Sequence, residues 1–162
     1  VFTDSKVQCS ASASDLNDGA LSVSYTWSSS NGETSSGNAW QLSNSLFSPG
    51  DELLCTATAT DSDGQSVSST SAAVEIENRP PSISSVQISP DTDVVAQTSL
   101  TCTSTNSDEE DGTLTPSYEW SVSGTVIASG DTYVVDPAQA APGDSLVCQV
   151  TVTDGNGASD FT

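Results

Sequence analysis

The sequence has no histidine and no methionine, and it sets only two basic side chains, Lys6 and Arg79, against 22 acidic ones. Without an imidazole, and with a single lysine, the nucleophile-and-base combinations of acyl transfer have no members to draw on. A carboxylate pair for glycoside hydrolysis is formally present, but the paired Asp and Glu residues lie in turn-forming stretches. The chain therefore reads as a non-enzyme. Its formal net charge of −20 repels nucleic acid and anionic lipid, which removes both as partners. No stretch approaches the ~20 apolar residues of a membrane span, so membrane insertion is not expected. No long segment carries the 3.6-residue apolar period of a helix. No Asn-x-Ser/Thr triplet occurs, which excludes N-glycosylation of that kind. Only four cysteines are present; with no Cys-x-x-Cys spacing and no His, they do not form a zinc site.

What is present is repetition. Ser24-Tyr-Thr-Trp27 returns 93 residues later as Ser117-Tyr-Glu-Trp120, and the rest of the chain follows in the same register. Cys9 corresponds to Cys102, Cys55 to Cys148, Asp15–Gly19 to Asp108–Gly112, Pro49-Gly50-Asp51 to Pro142-Gly143-Asp144, and Asp61 to Asp154, with no gap. A fixed period of this kind means two copies of one folding unit. At 162 residues each copy is large enough for one modest core. Asn78-Arg-Pro-Pro81 marks the junction, because two prolines cannot continue a ladder and stiffen an extended connection. Two domains are expected, 1–78 and 79–162.

Within each copy the apolar residues alternate, which is the signature of half-buried strands. Lys6–Ser12 places Val7, Cys9 and Ala11 on one face. Leu21, Val23, Tyr25 and Trp27 share a face of the next strand, and Leu53, Cys55, Ala57 and Ala59 a face of a later one. Asp61-Ser-Asp-Gly64 then reads as a tight hairpin leading into a last strand over Ser66–Glu77. In the second copy the spacing predicts strands over Ile83–Ile88, Ser99–Thr105, Leu114–Val122 and Leu146–Val152. The chain is all-β.

A Cys on one strand, a Trp 18 residues later on another and a Cys on a third converge only when two sheets pack face to face, as in an immunoglobulin-like sandwich. The expected disulfides are Cys9 with Cys55 and Cys102 with Cys148, since other pairings would cross-link the copies and break their symmetry. Such bridges form outside the cytosol. Each closure should stabilise its domain by roughly 3 to 4 kcal/mol. Tyr25, Trp27, Tyr118 and Trp120 form the core signature beside these bridges.

The motifs Tyr25-Thr-Trp27, Tyr118-Glu-Trp120 and Val150-Thr-Val-Thr-Asp-Gly-Asn-Gly157 resemble those of the extracellular immunoglobulin-like repeats related to PKD domains, found in tandem in large bacterial surface and secreted proteins. The resemblance spans both copies. The Asp-Phe-Gly-Asp-Gly that usually follows the PKD tryptophan is missing, the cysteine pair is an immunoglobulin trait, and Leu53 and Leu146 stand where immunoglobulin domains commonly carry a tyrosine. The resemblance implies a non-catalytic spacer, adhesive or structural role in a long extracellular fibre or filament. Its partners would be further copies of the repeat, neighbouring subunits, glycans or other cell-surface proteins.

Two features carry sharper readings. Asp15, Asn17 and Asp18 with Asp61 and Asp63, and in the second copy Asp108, Glu109 and Asp111 with Asp154 and Asn156, are hard oxygen ligands beside glycines at one end of each sandwich, which suits Ca2+. The same residues are the default chemistry of β-turns, and no cofactor is required by the fold. Trp40 and Tyr133, at equivalent positions, are expected first as core or edge packing residues; as the alternative they suit sugar stacking in a carbohydrate-binding accessory module. Ser and Thr make up 51 of the residues, which fits O-glycosylation as well as the outward positions of strands. Carried to the ends, the register makes Val1 equivalent to Val94 and Thr162 to Ser69, so Thr70–Asp93 occurs once. The first domain is expected to lack its first edge strand and the second most of its last one, with neighbours completing both. With neither an initiator Met nor a signal peptide at Val1, any secretion signal is expected to have been removed or to lie outside this sequence.

Overall fold

The computed structural model describes all of residues 1–162. It contains only strands and turns, and the chain divides into two compact units, Val1–Asn78 and Arg79–Thr162.

Unit 1 carries β1 (Lys6–Gln8), β2 (Ala13–Asp15), β3 (Gly19–Leu21), β4 (Val23–Ser29), β5 (Thr34–Ser36), β6 (Ala39–Gln41), β7 (Glu52–Thr60), β8 (Ser66–Thr70) and β9 (Val74–Glu75). Its main sheet runs β5-β4-β7-β8, with β9 also paired to β7. Two small antiparallel pairs, β1-β6 and β2-β3, complete the unit. The alternation in β4 and β7 points Trp27, Leu53 and Cys55 inward, where they meet Val7, Leu42, Phe47 and Ile76. Thr56, Thr58 and Thr60 face the other way, and their hydroxyls pair with those of Thr70, Ser68 and Ser66 at 2.7–2.9 Å. Much of the hydroxyl content of this sheet is thus spent on cross-strand pairs.

Unit 2 carries β10 (Ser82–Ser89), β11 (Ser99–Ser107), β12 (Ser117–Val122), β13 (Thr125–Ser129), β14 (Thr132–Val134), β15 (Leu146–Thr153) and β16 (Ser159–Phe161). One sheet is β10-β11-β14 and the other β13-β12-β15-β16. Leu100, Cys102 and Tyr133 from the first meet Trp120, Val122, Cys148 and Val150 from the second in one core. Two antiparallel sheets with a shared apolar interior fit a β-sandwich.

Disulfides join Cys9 to Cys55 and Cys102 to Cys148, each spanning 46 residues. In both units a tryptophan sits directly across the ladder from the second cysteine, Trp27 from Cys55 and Trp120 from Cys148. Each indole N–H donates to a glycine carbonyl at 2.9 Å, Gly37 in unit 1 and Gly130 in unit 2. Both glycines have φ above +100°, a backbone conformation that side-chain-bearing residues rarely adopt, so the turn that presents the carbonyl depends on glycine.

In unit 2 the strand expected from Leu114 begins at Ser117, as β12, and in unit 1 the strands depart from their expected spans in three places. The first strand of unit 1 stops at Gln8, and Ala11, expected inside, is exposed, because no strand covers that side of the segment. Leu21 belongs to the β2-β3 hairpin rather than to β4. The strand expected over Ser66–Glu77 is broken, because Ser71 turns its hydroxyl to accept from the Cys55 amide at 3.1 Å and donate to the Ala72 carbonyl at 2.8 Å. The chain then re-forms as β9 beside Glu52 and Leu53.

Candidate functional sites

The acidic loops are the first candidates. In unit 1, Asp15 Oδ1 accepts from the Asn17 and Asp18 amides at 2.6 and 3.2 Å, and Asp61 Oδ1 accepts from those of Asp63 and Gln65 at 3.0 and 2.7 Å. Unit 2 repeats the scheme: Asp108 Oδ1 accepts from Glu110 and Asp111, and Asp154 Oδ1 from Asn156 and Ala158. These four aspartates serve as turn-organising acceptors for their own loops. The sequence expectation that the two loops lie side by side is matched by a direct bond. Asp18 accepts from the Ser62 amide at 3.0 Å and from its hydroxyl at 2.9 Å, and the equivalent Asp111 accepts from the Gly155 amide at 2.7 Å. A carboxylate from one loop thus clips the hairpin of the other in each unit.

The electrostatics follow from these bonds. The Asn17 amide, with a smaller contribution from that of Asp18, holds the Asp15 carboxyl below the usual aspartate value. The Ser62 amide, followed by its hydroxyl, does the same for Asp18. Hydrogen bonds to the ionised form are what lower a carboxyl's pKa. No three or more of the acidic side chains converge in a metal-holding arrangement. Asp108 and Asp154 are each 7% exposed, and the second oxygen of Asp108, Oδ2, has no hydrogen-bond partner. Glu109 and Asp63 are exposed.

Sequence reasoning missed one member of this region. Glu110, at the position equivalent to Asn17, is 6% exposed in its side chain and pairs with Arg79 at 3.1 Å. The available signal was the rarity of basic residues: the sole arginine of a chain carrying 22 acids has a strong reason to find one of them.

The aromatic candidates behave differently from one another. Tyr133 is 7% exposed. Its ring lies 5.8 Å from that of Trp120, and its hydroxyl meets Gln139 and the Asp136 amide at 3.3 Å. Tyr133 is thus a core packing residue, the first of the two uses expected of it. Trp40 is half-buried, with its ring 6.4 Å from Trp27 and edge-on to Phe47 at 5.1 Å. Tyr25 and Tyr118 lie partly inside, each packed on its core cluster.

The remaining candidate is a sheet edge. A groove of about 270 Å³ opens on unit 1 between the segment Ala11–Ser14 and strands β7 and β8. Its floor includes Ala57 and Ala59, and Val67 stands at its side, 65% exposed.

No family model matches the chain, and no curated protein or solved structure matches it either. No helix of the structure is long and apolar enough to cross a membrane. Two disulfides and no free cysteine fit an oxidising, extracellular or secreted environment.

Proposed function

We propose that this chain is a non-catalytic, structural or adhesive module of a long extracellular fibre, built from immunoglobulin-like, PKD-like repeats whose open edges are completed by neighbouring repeats or subunits. The observation that carries the reading is the pair of units built on one pattern: the same 93-residue spacing, the same disulfide, and the same tryptophan across the ladder from it. Repetition of a small, stapled, polar-skinned unit suits mechanical extension rather than chemistry. The carboxylates add to this reading, because their Oδ1 atoms are spent on loop amides instead of being aimed at a common centre.

The reading needs no cofactor. It places the protein on a cell surface or in a secreted assembly, with a bacterial source suggested by the motif resemblance. The test is the native material: imaging and intact mass should show assemblies far larger than one chain. A discrete native species of 16.5 kDa overturns it. A glycan array decides against the accessory-module alternative if wild type and Trp40→Ala both fail to bind.

A further inference from the structure

We propose that Asn156 is a self-modification site, where the amide nitrogen of Gly157 displaces ammonia from the Asn156 side chain and water then opens the resulting ring to aspartate or isoaspartate. The fold withholds the same reaction from the chain's other Asn-Gly pair, Asn31-Gly32. The inference goes beyond the fibre reading and does not depend on it.

An asparagine followed by glycine is the dipeptide most prone to this cyclisation, because no side chain hinders the attacking nitrogen. The pair occurs twice, and the backbone presents both copies alike. In the β4-β5 hairpin the Gly32 amide donates to the Ser29 carbonyl at 3.1 Å and the Ser29 amide to the Glu33 carbonyl at 3.0 Å. In the β15-β16 hairpin the Gly157 amide donates to the Asp154 carbonyl at 3.3 Å and the Asp154 amide to the Ala158 carbonyl at 2.9 Å. The glycine φ angles are 95° and 90°, the space beside each glycine is open, and both asparagines are exposed. Turn geometry and solvent access therefore do not separate the two sites.

The side chains do. Asn31 Nδ2 donates to the Leu46 carbonyl at 2.9 Å and to Asp51 Oδ2 at 2.8 Å. Its Oδ1 accepts from the Ser29 hydroxyl and from the Glu33 amide, the latter at 3.1 Å. Both donors and both acceptor positions of that carboxamide are engaged, so its Cγ cannot swing onto the Gly32 nitrogen without breaking them. The Asn156 side chain makes no hydrogen bond; only its main-chain amide is held, by Asp154 Oδ1 at 2.9 Å. Its carboxamide is free to rotate into the near-attack geometry that the reaction requires.

The step needs no partner but water. A bond forms between the Gly157 nitrogen and Asn156 Cγ, the Cγ–Nδ2 bond breaks, and the Gly157 amide proton leaves with Nδ2 as ammonia. Water adding at Cγ restores the main chain and leaves aspartate. Water adding at the Asn156 main-chain carbonyl leaves the chain running through the side chain, as isoaspartate. Unit 1 shows which product the loop accepts, because Asp63 stands at the position equivalent to Asn156. There Asp61 Oδ1 accepts from the Asp63 and Gln65 amides just as Asp154 Oδ1 accepts from those of Asn156 and Ala158. Aspartate therefore fits. Isoaspartate inserts an extra main-chain atom into a hairpin that pairs Thr153 with Ser159 and joins their hydroxyls at 2.8 Å, so it loosens β16.

The test ages the full 162-residue chain in warm, mildly alkaline buffer and follows both asparagines by mass-spectrometric peptide mapping, with isoaspartate read by methyltransferase labelling. In the folded chain, conversion at Asn156 should run at least about tenfold faster than at Asn31, where side-chain hydrogen bonds must break first. In denaturant the two rates should converge. The Asn156→Asp chain should keep the melting temperature of unit 2, whereas the isoaspartate fraction of aged protein should exchange its Ser159–Phe161 amides about tenfold faster than fresh protein. Equal rates in the folded chain, or faster conversion at Asn31, overturn the proposal. So does a ratio that persists in denaturant, because the sequence and not the fold would then set it. Unchanged exchange in the isoaspartate fraction overturns the assignment of the two products.

Discussion

Unit 1 and unit 2 build the same disulfide-crossed core and finish it differently. Unit 2 covers its first long strand with β10 and fills the floor beneath with Val150 and Val152. Unit 1 leaves the matching edge bare over Ala57 and Ala59, yet buries Ile76 completely, held by the amide of Gly50 and the carbonyl of Asp51 at 2.8 Å. In unit 2 the counterparts of those two residues, Gly143 and Asp144, line an open groove of about 310 Å³ with Leu146. The two alanine-for-valine differences alone remove four methylene equivalents from unit 1, worth about 3 kcal/mol at full burial. The lesson is that the shared core fixes the fold while the edges set stability and stickiness, and unit 1 should be the weaker partner.

The largest effect that can break this comparison is loss of a disulfide. Cys9→Ala with Cys55→Ala should cost unit 1 roughly 3 to 4 kcal/mol, most of what a unit of this size has. The same change at Cys102 and Cys148 should leave unit 2 partly folded at room temperature, since β10 and the valine floor remain. Unfolding in urea followed by Trp27 and Trp120 in single-tryptophan backgrounds separates the units. Earlier unfolding of the Cys102/Cys148 variant would reverse the ranking argued above.

Ile76 tests the other half of the comparison. It is 0% exposed, and Ile76→Ala removes a fully enclosed side chain, which costs about 3 kcal/mol. The loss should appear only in the unit 1 transition, with β9 released from Glu52 and Leu53. A cost below about 1 kcal/mol, the range of surface substitutions, would show that β9 adds little to the core of unit 1.

These contrasts also show what the residues disclosed in advance. Alternation identified β4, β7, β11 and β15, because each is a long strand with one wet and one dry face, the arrangement in which a period of two is cleanest. The disulfides followed from symmetry between the copies. Alternation misled at Ala11, where the apolar pattern continues but the covering strand does not, so inward potential became outward exposure. It also missed the break at Ser71, because a serine in a serine-rich strand gives no local sign that its hydroxyl will enter the ladder against Cys55. The acidic turns were legible as turns, but the Asp18 to Ser62 clip and the Arg79 to Glu110 pair join residues 44 and 31 apart in sequence. Pairing at that distance is set by how the loops pack, which no spacing rule contains. Which of its two uses Tyr133 takes is decided in a related way: an aromatic in a short strand is placed by its neighbours, here Trp120 and Gln139.

The smallest expected effect concerns acid, and it bears on unit 1 through Asp15 and Asp18, whose carboxyls are lowered. A group whose carboxyl is lowered by folding binds fewer protons folded than unfolded, so acid favours the unfolded chain. The contribution is complete above the ordinary aspartate value of 3.8. It fades as pH falls from there through the lowered folded values. Asp18 is exposed and Asp15 partly so, so the effect is screened by salt and smaller than the losses above. The unit 1 melting temperature should hold between about pH 6 and pH 5 and decline below about pH 4. Asp15→Asn with Asp18→Asn should flatten that decline, because the amide side chains keep an acceptor oxygen for Asn17 and Ser62 without a titrating proton. If the double variant instead falls in parallel with wild type, the acid response of unit 1 lies outside the loop clip.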